Sequence, residues 1–260
     1  MADGAALETL LKRDRAFVLA GLVAVSALSW LYLFYDERHM ACMALMRGVA
    51  PRLQPWTGSD GALMFAMWAV MMVAMMVPSV APMVLLFAAV NRRRREAERP
   101  YVPTVVFLLG YLVVWTFFSA LATAAQWQLH AAALLSPAMV VASPLLGAAL
   151  LIAAGLFQFT PLKRACLIHC RTPLSLLMTE WREGSWGAFV MGLRHGSYCL
   201  GCCWFLMALL FVAGVMNLLW VALLSGFVLA EKIVPRGQEL SLVAGVALTV
   251  WGFLRLAGIG

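Results

Sequence analysis

Long apolar stretches with almost no charged residues recur along the chain of 260 residues. A run of about 20 apolar residues crosses the hydrocarbon core of a bilayer as a helix. A helix is favoured in lipid because it satisfies its own backbone hydrogen bonds. Apolar residues make up 64% of the sequence and charged residues 12%, whereas an ordinary globular domain is about half apolar. The sequence therefore predicts an all-α, polytopic transmembrane helical bundle that forms one integral membrane domain.

About seven spans follow from the apolar stretches. The run from 188 to 230 is about twice the length of one span, so a turn is predicted at Gly214–Asn217. The loop 161–187 carries apolar residues at helical spacing, which predicts an interfacial amphipathic helix at about 173–182. The predicted spans lie at about 16–35, 61–90, 103–126, 139–159, 188–213, 217–234 and 241–256.

Positive charges concentrate in segments that fall on one side of this predicted bundle: the N-terminus, 92–99, 161–187 and 231–239. The positive-inside rule makes this side cytoplasmic, with the N-terminus included. The net charge of +7 thus reflects topology and does not indicate a nucleic-acid partner. In the last of these segments, Glu231 is predicted to anchor the end of a span by pairing with Lys232.

An imidazole and three thiols lie close together inside one apolar run. His195, Cys199, Cys202 and Cys203 are spaced i, i+4, i+7 and i+8, which places them on one face of a helix. Thiolate and imidazole are ligands for soft metals such as Cu(I) and for Zn²⁺. The alternative is that these cysteines pack as small hydrophobic residues.

A second group of soft donors, Cys166, His169 and Cys170, precedes this helix. Cys166 and Cys170 share a face if the segment is helical. Because both groups fall on the same predicted side of the membrane, they could form one shared site. The alternative is a cytosolic thiol pair that stays reduced.

Methionines line the second predicted span, and thioethers also suit Cu(I). Packing is the alternative, since methionine fills irregular cores. The same span contains Pro78 and Pro82, which predict that its helix is kinked and partly unwound near these residues. The loop 36–60 on the opposite side adds soft donors at helical spacing, His39, Cys42, Met43 and Met46. The methionines proposed as metal ligands are Met71, Met72, Met75 and Met76.

Three segments together resemble a bacterial family of predicted metal-binding integral membrane proteins of unknown function. They are Met67–Ser79, Cys166–Leu174 and Gly192–Trp204, and Glu231–Gly237 fits the same pattern. The resemblance extends from about Gly61 onward. It implies a multi-pass protein of the bacterial inner membrane that binds a metal ion.

The combined prediction is a soft-metal protein for metal handling or transport, with copper(I) favoured and zinc as second candidate. Its predicted partners are the lipid bilayer, a metallochaperone or metalloenzyme, and a second copy of the chain. Binding rather than enzymatic activity is expected. Two alternatives stay open, a membrane thiol–disulfide redox protein and an assembly scaffold with structural cysteines.

Overall fold

The computed structural model describes residues 2–47, 56–96, 102–136 and 139–258, with side chains at 15–39, 56–94, 102–136, 139–175 and 177–258. These residues form helices and no strand, apart from an isolated bridge between Leu135 and Val141. The predicted all-α class is thereby confirmed for this part of the chain. The helices are α1 (Ala2–Arg47), α2 (Gly58–Glu96), α3 (Thr104–Ala131), α4 (Pro144–Phe157), α5 (Pro161–Arg171), α6 (Pro173–Thr179), α7 (Gly184–Ala208), α8 (Leu210–Ala213), α9 (Leu218–Ile233) and α10 (Gly237–Leu256).

Five apolar segments of the described chain are long enough to cross a membrane as helices. A sixth arises if α4 and α5, which meet at a bend of 63°, form one broken span. Helix α9 has 16 residues, or about 24 Å at 1.5 Å per residue, less than the roughly 30 Å of a hydrocarbon core. The count of about seven spans and the orientation of the N-terminus stay predictions. The five segments are Arg15–His39, Gly58–Arg94, Thr104–Ala131, Gly184–Ala213 and Gly237–Leu256.

The region predicted as a loop at 161–187 instead begins with helix α5. The Thr160 hydroxyl caps this helix by accepting a hydrogen bond from the Lys163 amide at 3.2 Å. Pro161 occupies the first helical turn, where its missing amide hydrogen costs nothing. The segment predicted as an interfacial helix forms the shorter helix α6, which ends at Thr179, and its position at a membrane interface stays a prediction. A cap and an N-terminal proline thus outweighed the polar composition that indicated a loop.

Two further boundaries differ from the predicted ones. The span predicted from 139 begins at Pro144, because the Ser143 hydroxyl caps α4 and Met139 has a φ of +57° outside the helical range. Helix α7 begins at Gly184 and continues through 188–195 without interruption. His195, Cys199, Cys202 and Cys203 therefore lie on one continuous helix.

The predicted turn at Gly214–Asn217 is confirmed. Gly214 has a φ of +96°, a conformation that glycine adopts without steric cost. Asn217 then begins α9, and its side-chain oxygen accepts a hydrogen bond from the Trp220 amide at 3.4 Å. After this turn, α9 packs against α2 and α7.

Helices α3 and α7 pack with their backbones in contact at two glycines. A Cβ atom at Gly192 would collide with the carbonyl oxygen of Phe107, and one at Gly110 would collide with that of Phe189. Small residues permit such close approach of helices in membranes. The contact fixes the rotation of α7, whose cysteine face meets α5 and α9.

A buried ion pair joins α5 to α9. Lys163 Nζ lies 2.7 Å from Glu231 Oε2, and the two side chains are 1% and 0% exposed. Ser241 of α10 donates to the other carboxylate oxygen at 2.6 Å. The predicted pairing of Glu231 with Lys232 is therefore wrong. Neighbouring residues of a helix point about 100° apart, so Glu231 faces α5 while Lys232 faces a different element.

Arg171, the last residue of α5, is tied to the turn between α9 and α10. Its guanidinium donates to the carbonyl oxygens of Glu231 at 2.8 Å and Pro235 at 2.7 Å. Glu231 lies in the last turn of α9, where helical carbonyls lack internal partners, and Pro235 lies just after it. Both ends of α5 are thus fastened to α9.

Replacing Gly192 by alanine is expected to destabilise the protein by about 1–3 kcal/mol, because the new methyl group overpacks the contact with α3. Thermal unfolding of the purified protein in detergent measures the change. Gly226→Ala on α9 is the matched control, since nothing lies within 4 Å of a Cβ there. Equal unfolding midpoints for the two variants would contradict the close-contact argument.

Replacing Lys163 by methionine is expected to lower the free energy of unfolding by about 3–5 kcal/mol, because it leaves the Glu231 carboxylate buried without its cation. Thermal unfolding in detergent measures this change. The double variant Lys163→Met/Glu231→Met should recover most of this loss, since it removes both charges. The solvent-exposed pair Arg236–Glu239 is the control, with side chains 81% and 68% exposed. Arg236→Met should leave the unfolding midpoint unchanged, and a double variant no better than Lys163→Met alone would refute the pairing.

Candidate metal centre

Helices α5 and α7 bring the two cysteine motifs together. The Cys170 thiol lies close enough to the thiols of Cys199 and Cys202 to interact with them electrostatically, and the Cys199 thiol also interacts with that of Cys203. We call Cys170, Cys199, Cys202 and Cys203 the thiol cluster. Its three members on α7 are at most 1% exposed. All four are free thiols.

The stripe spacing explains why three of these thiols meet. Cys199, Cys202 and Cys203 are three and four residues apart, so their side chains stack over one turn of α7. The thiols of Cys202 and Cys203 donate to the Cys199 carbonyl oxygen at 3.0 Å and 2.9 Å. The Cys199 sulfur is left facing the neighbouring helices.

Two groups from other helices converge on this sulfur. Lys232 Nζ on α9 lies 3.0 Å from Cys199 Sγ and 2.9 Å from the Ser79 hydroxyl. The Tyr111 hydroxyl on α3 lies 3.1 Å from the same sulfur and 3.3 Å from the Met76 carbonyl oxygen. An ammonium in contact with sulfur is a counterion for a thiolate, the form of cysteine that binds metals.

His195 lies one turn before Cys199 and is 3% exposed. Its ring lies between Phe107 and Tyr111, with ring centroids 6.3 Å and 6.0 Å away. The Nδ1 atom is buried and has no hydrogen-bond partner among the described residues. A buried nitrogen without a partner is costly. The Nδ1 atom is therefore available to bind a ligand.

The other two residues of the second motif lie beside the thiol cluster. Cys166 Sγ packs against Gly201, where a Cβ atom would lie 2.8 Å from it. His169 Nδ1 lies 2.8 Å from the Ala165 carbonyl oxygen, and the ring stacks on Tyr198 at 4.3 Å between centroids. These contacts hold the His169 ring against the flank of α7.

The four methionines proposed as ligands lie in the core of the bundle and are fully buried. We call these residues the methionine stripe: Met71, Met72, Met75 and Met76. Met76 is the member that contacts the surroundings of the thiol cluster, because its sulfur is 4.0 Å from the Ser79 hydroxyl that accepts from Lys232. The expected unwinding of α2 is absent, since the helix is continuous through Pro78 and Pro82. Of the outer-loop donors, the side chains of Cys42, Met43 and Met46 lie outside the described residues.

In the described part of the chain, no three His, Cys, Asp or Glu side chains are arranged to hold a metal ion as they stand. Two thiols are turned toward the Cys199 carbonyl and the Lys232 ammonium occupies one side of Cys199. Side-chain rotation would therefore have to accompany metal binding. The assignment of these residues as metal ligands stays a prediction.

Sequence reasoning missed Lys232 as a neighbour of the cysteines. The signal lies in the buried face of α9, where Val221, Ser225 and Val228 recur at helical spacing and Ser225 donates to the Met75 carbonyl oxygen at 3.3 Å. Lys232 follows Val228 by four residues, which continues the same face. Tyr111 gave no comparable signal, because aromatic residues are common on any buried helix.

Comparison with known proteins identifies a family and no individual relative. A search of curated proteins and a search of solved structures both found no match. The model of the family PpoB2, described as a copper chaperone, matches residues 65–255. The matched range contains the whole thiol cluster, His195 and Lys232, and it runs from within α2 almost to the end of α10. The chain belongs to the PpoB2 copper chaperone family.

Proposed function

We propose that the protein binds Cu(I) within a bacterial inner membrane and passes it to a metallochaperone or metalloenzyme. The observation that carries the proposal is the approach of the half-buried Cys170 thiol on α5 to the buried thiols of α7. Thiolates and thioethers are the protein ligands that suit Cu(I) best. Membership of a copper chaperone family supports copper over other soft metals.

Cys170 and Cys199 are the proposed first pair of ligands, because they come from different helices and lie close enough to interact electrostatically. Cys202 and Cys203 can add to them by rotating away from the Cys199 carbonyl, and His195 contributes an uncommitted nitrogen. Two sulfurs are enough for Cu(I), whereas a structural zinc site uses four ligands in a tetrahedron.

The route of the metal is proposed from the soft donors on either side of the thiol cluster. Met71, Met72, Met75 and Met76 would relay Cu(I) along α2, with Met76 next to the cluster. Cys166, His169 and Cys170 would exchange it on the cytoplasmic side. Cys170 is half-buried while the α7 thiols are fully buried, which supports its role as the exchange residue.

Purified protein reconstituted with Cu(I) is expected to hold about one copper ion, and the triple variant Cys199/Cys202/Cys203→Ala to lose it, since the variant retains too few thiolates. Elemental analysis after removal of loosely bound metal gives the measurement. Cys42→Ala, on α1, is the matched control and should keep its copper.

Equal copper content in the wild type and the triple variant would rule out binding by the thiol cluster. Two further experiments, one on purified protein and one in cells, separate the two alternatives. A redox protein should show oxidant-dependent loss of labelled thiols without metal, and a scaffold should keep its function in cells when the cysteines are replaced by serine.

X-ray absorption of the copper-loaded protein is expected to show a coordination shell dominated by sulfur. Cys170→Ser should lower the number of sulfur neighbours and weaken Cu(I) binding by about tenfold or more, since even the loss of a group that orients a ligand costs roughly 10–100-fold. His130→Ala is the control, because His130 lies outside the proposed metal route and its ring stacks on Trp56, with centroids 4.7 Å apart. A sulfur number unchanged in Cys170→Ser would remove Cys170 from the site.

A further inference from the structure

The ammonium of Lys232 is directed onto a sulfur atom. Its Nζ atom contacts Cys199 Sγ at 3.0 Å and the Ser79 hydroxyl at 2.9 Å. Within the described residues, no carboxylate forms an ion pair with it, because the neighbouring Glu231 is paired with Lys163. The sulfur of Cys199 is thus the group that can balance the charge of Lys232.

Charge balance matters here because the thiol cluster is buried, and an uncompensated charge in an apolar interior is expensive. The complex of a monovalent ion with two thiolates carries one net negative charge, which one ammonium neutralises. A divalent ion held by the same two thiolates is already neutral, and the ammonium would leave a net positive charge.

We propose that Lys232 is a specificity-determining residue whose ammonium makes the thiol cluster prefer a monovalent soft ion over a divalent one. The inference rests on the proposed function, because it takes Cys170 and Cys199 as the first pair of thiolates. Lys232 acts through the charge of the site and does not ligate the metal.

Within the thiol cluster, a divalent ion regains neutrality beside Lys232 by recruiting a third thiolate. Cys202 and Cys203 are the available groups, and each donates its hydrogen bond to the Cys199 carbonyl oxygen. A third thiolate would therefore break a bond that the two-thiolate centre can keep. The monovalent ion reaches neutrality with fewer changes to α7.

The position of the ammonium is fixed from two directions. Ser79 of α2 accepts one of its hydrogen bonds. The preceding residue, Glu231, is held by Lys163 and by Ser241 at 2.6 Å, so the end of α9 cannot turn freely. A positive charge fixed in this way discriminates between ions better than one on a mobile surface chain.

The test measures Cu(I) and Zn²⁺ affinities of the purified full-length protein by competition with chromophoric chelators under reducing conditions. Lys232→Met removes the charge, Lys232→Gln removes the charge but keeps a donor, and Lys232→Arg keeps the charge. Met and Gln variants are expected to lose about tenfold or more in the ratio of Cu(I) to Zn²⁺ affinity, a factor that corresponds to about 1.4 kcal/mol. Lys232→Arg should keep the ratio within about threefold of the wild type.

Arg236→Met is the matched control, since it removes a positive charge at an exposed position of the same turn. The proposal is overturned if Lys232→Met and Lys232→Gln leave the ratio unchanged, or if both affinities fall by the same factor, which is the result of a structural defect. If Lys232→Met does not fold, Lys232→Gln and Lys232→Arg decide the question through the same ratio. Failure of the wild type to bind Cu(I) above the triple cysteine variant would instead refute the proposed function itself.

Discussion

Two lysine ammonium groups, that of the buried Lys163 and that of the half-buried Lys232, lie among the packed helices. Each is stabilised there by an anionic partner, because desolvation of a charge is costly. Lys163 has the Glu231 carboxylate at 2.7 Å. Lys232 has the Cys199 sulfur at 3.0 Å. The first pair holds the helices together, and the second places a positive charge at the thiol cluster. Structure and candidate site thus depend on the same requirement.

Much of the helix pattern could be predicted, because periodicity and turn chemistry are local. The i, i+4, i+7 spacing of His195, Cys199 and Cys202 correctly gave one face of one helix, and Gly214 correctly marked a turn. The choice of partner between helices could not be predicted in the same way. Glu231 pairs with Lys163, 68 residues away, instead of with its neighbour, and only the packing of α5 against α9 decides this.

The candidate site combines predicted and unpredicted parts. Sequence spacing alone identified the donors, and their contact across α5 and α7 depends on the helix that replaced the predicted loop. Burial of all four methionines of the stripe was consistent with both packing and relay, so the pattern could not decide between them. The contact of Lys232 with Cys199 could not be predicted, because a lysine at the end of a span usually reaches toward the lipid headgroups.

Arg171 connects these parts mechanically. It follows Cys170 directly and is bonded to the carbonyl oxygens of Glu231 and Pro235, so the end of α5 and the end of α9 form one rigid unit. The thiol that α5 contributes and the ammonium that α9 contributes are carried by that unit. A movement of it away from α7 would separate Cys170 and Lys232 from Cys199 in a single step, withdrawing a ligand and its charge compensation at the same moment.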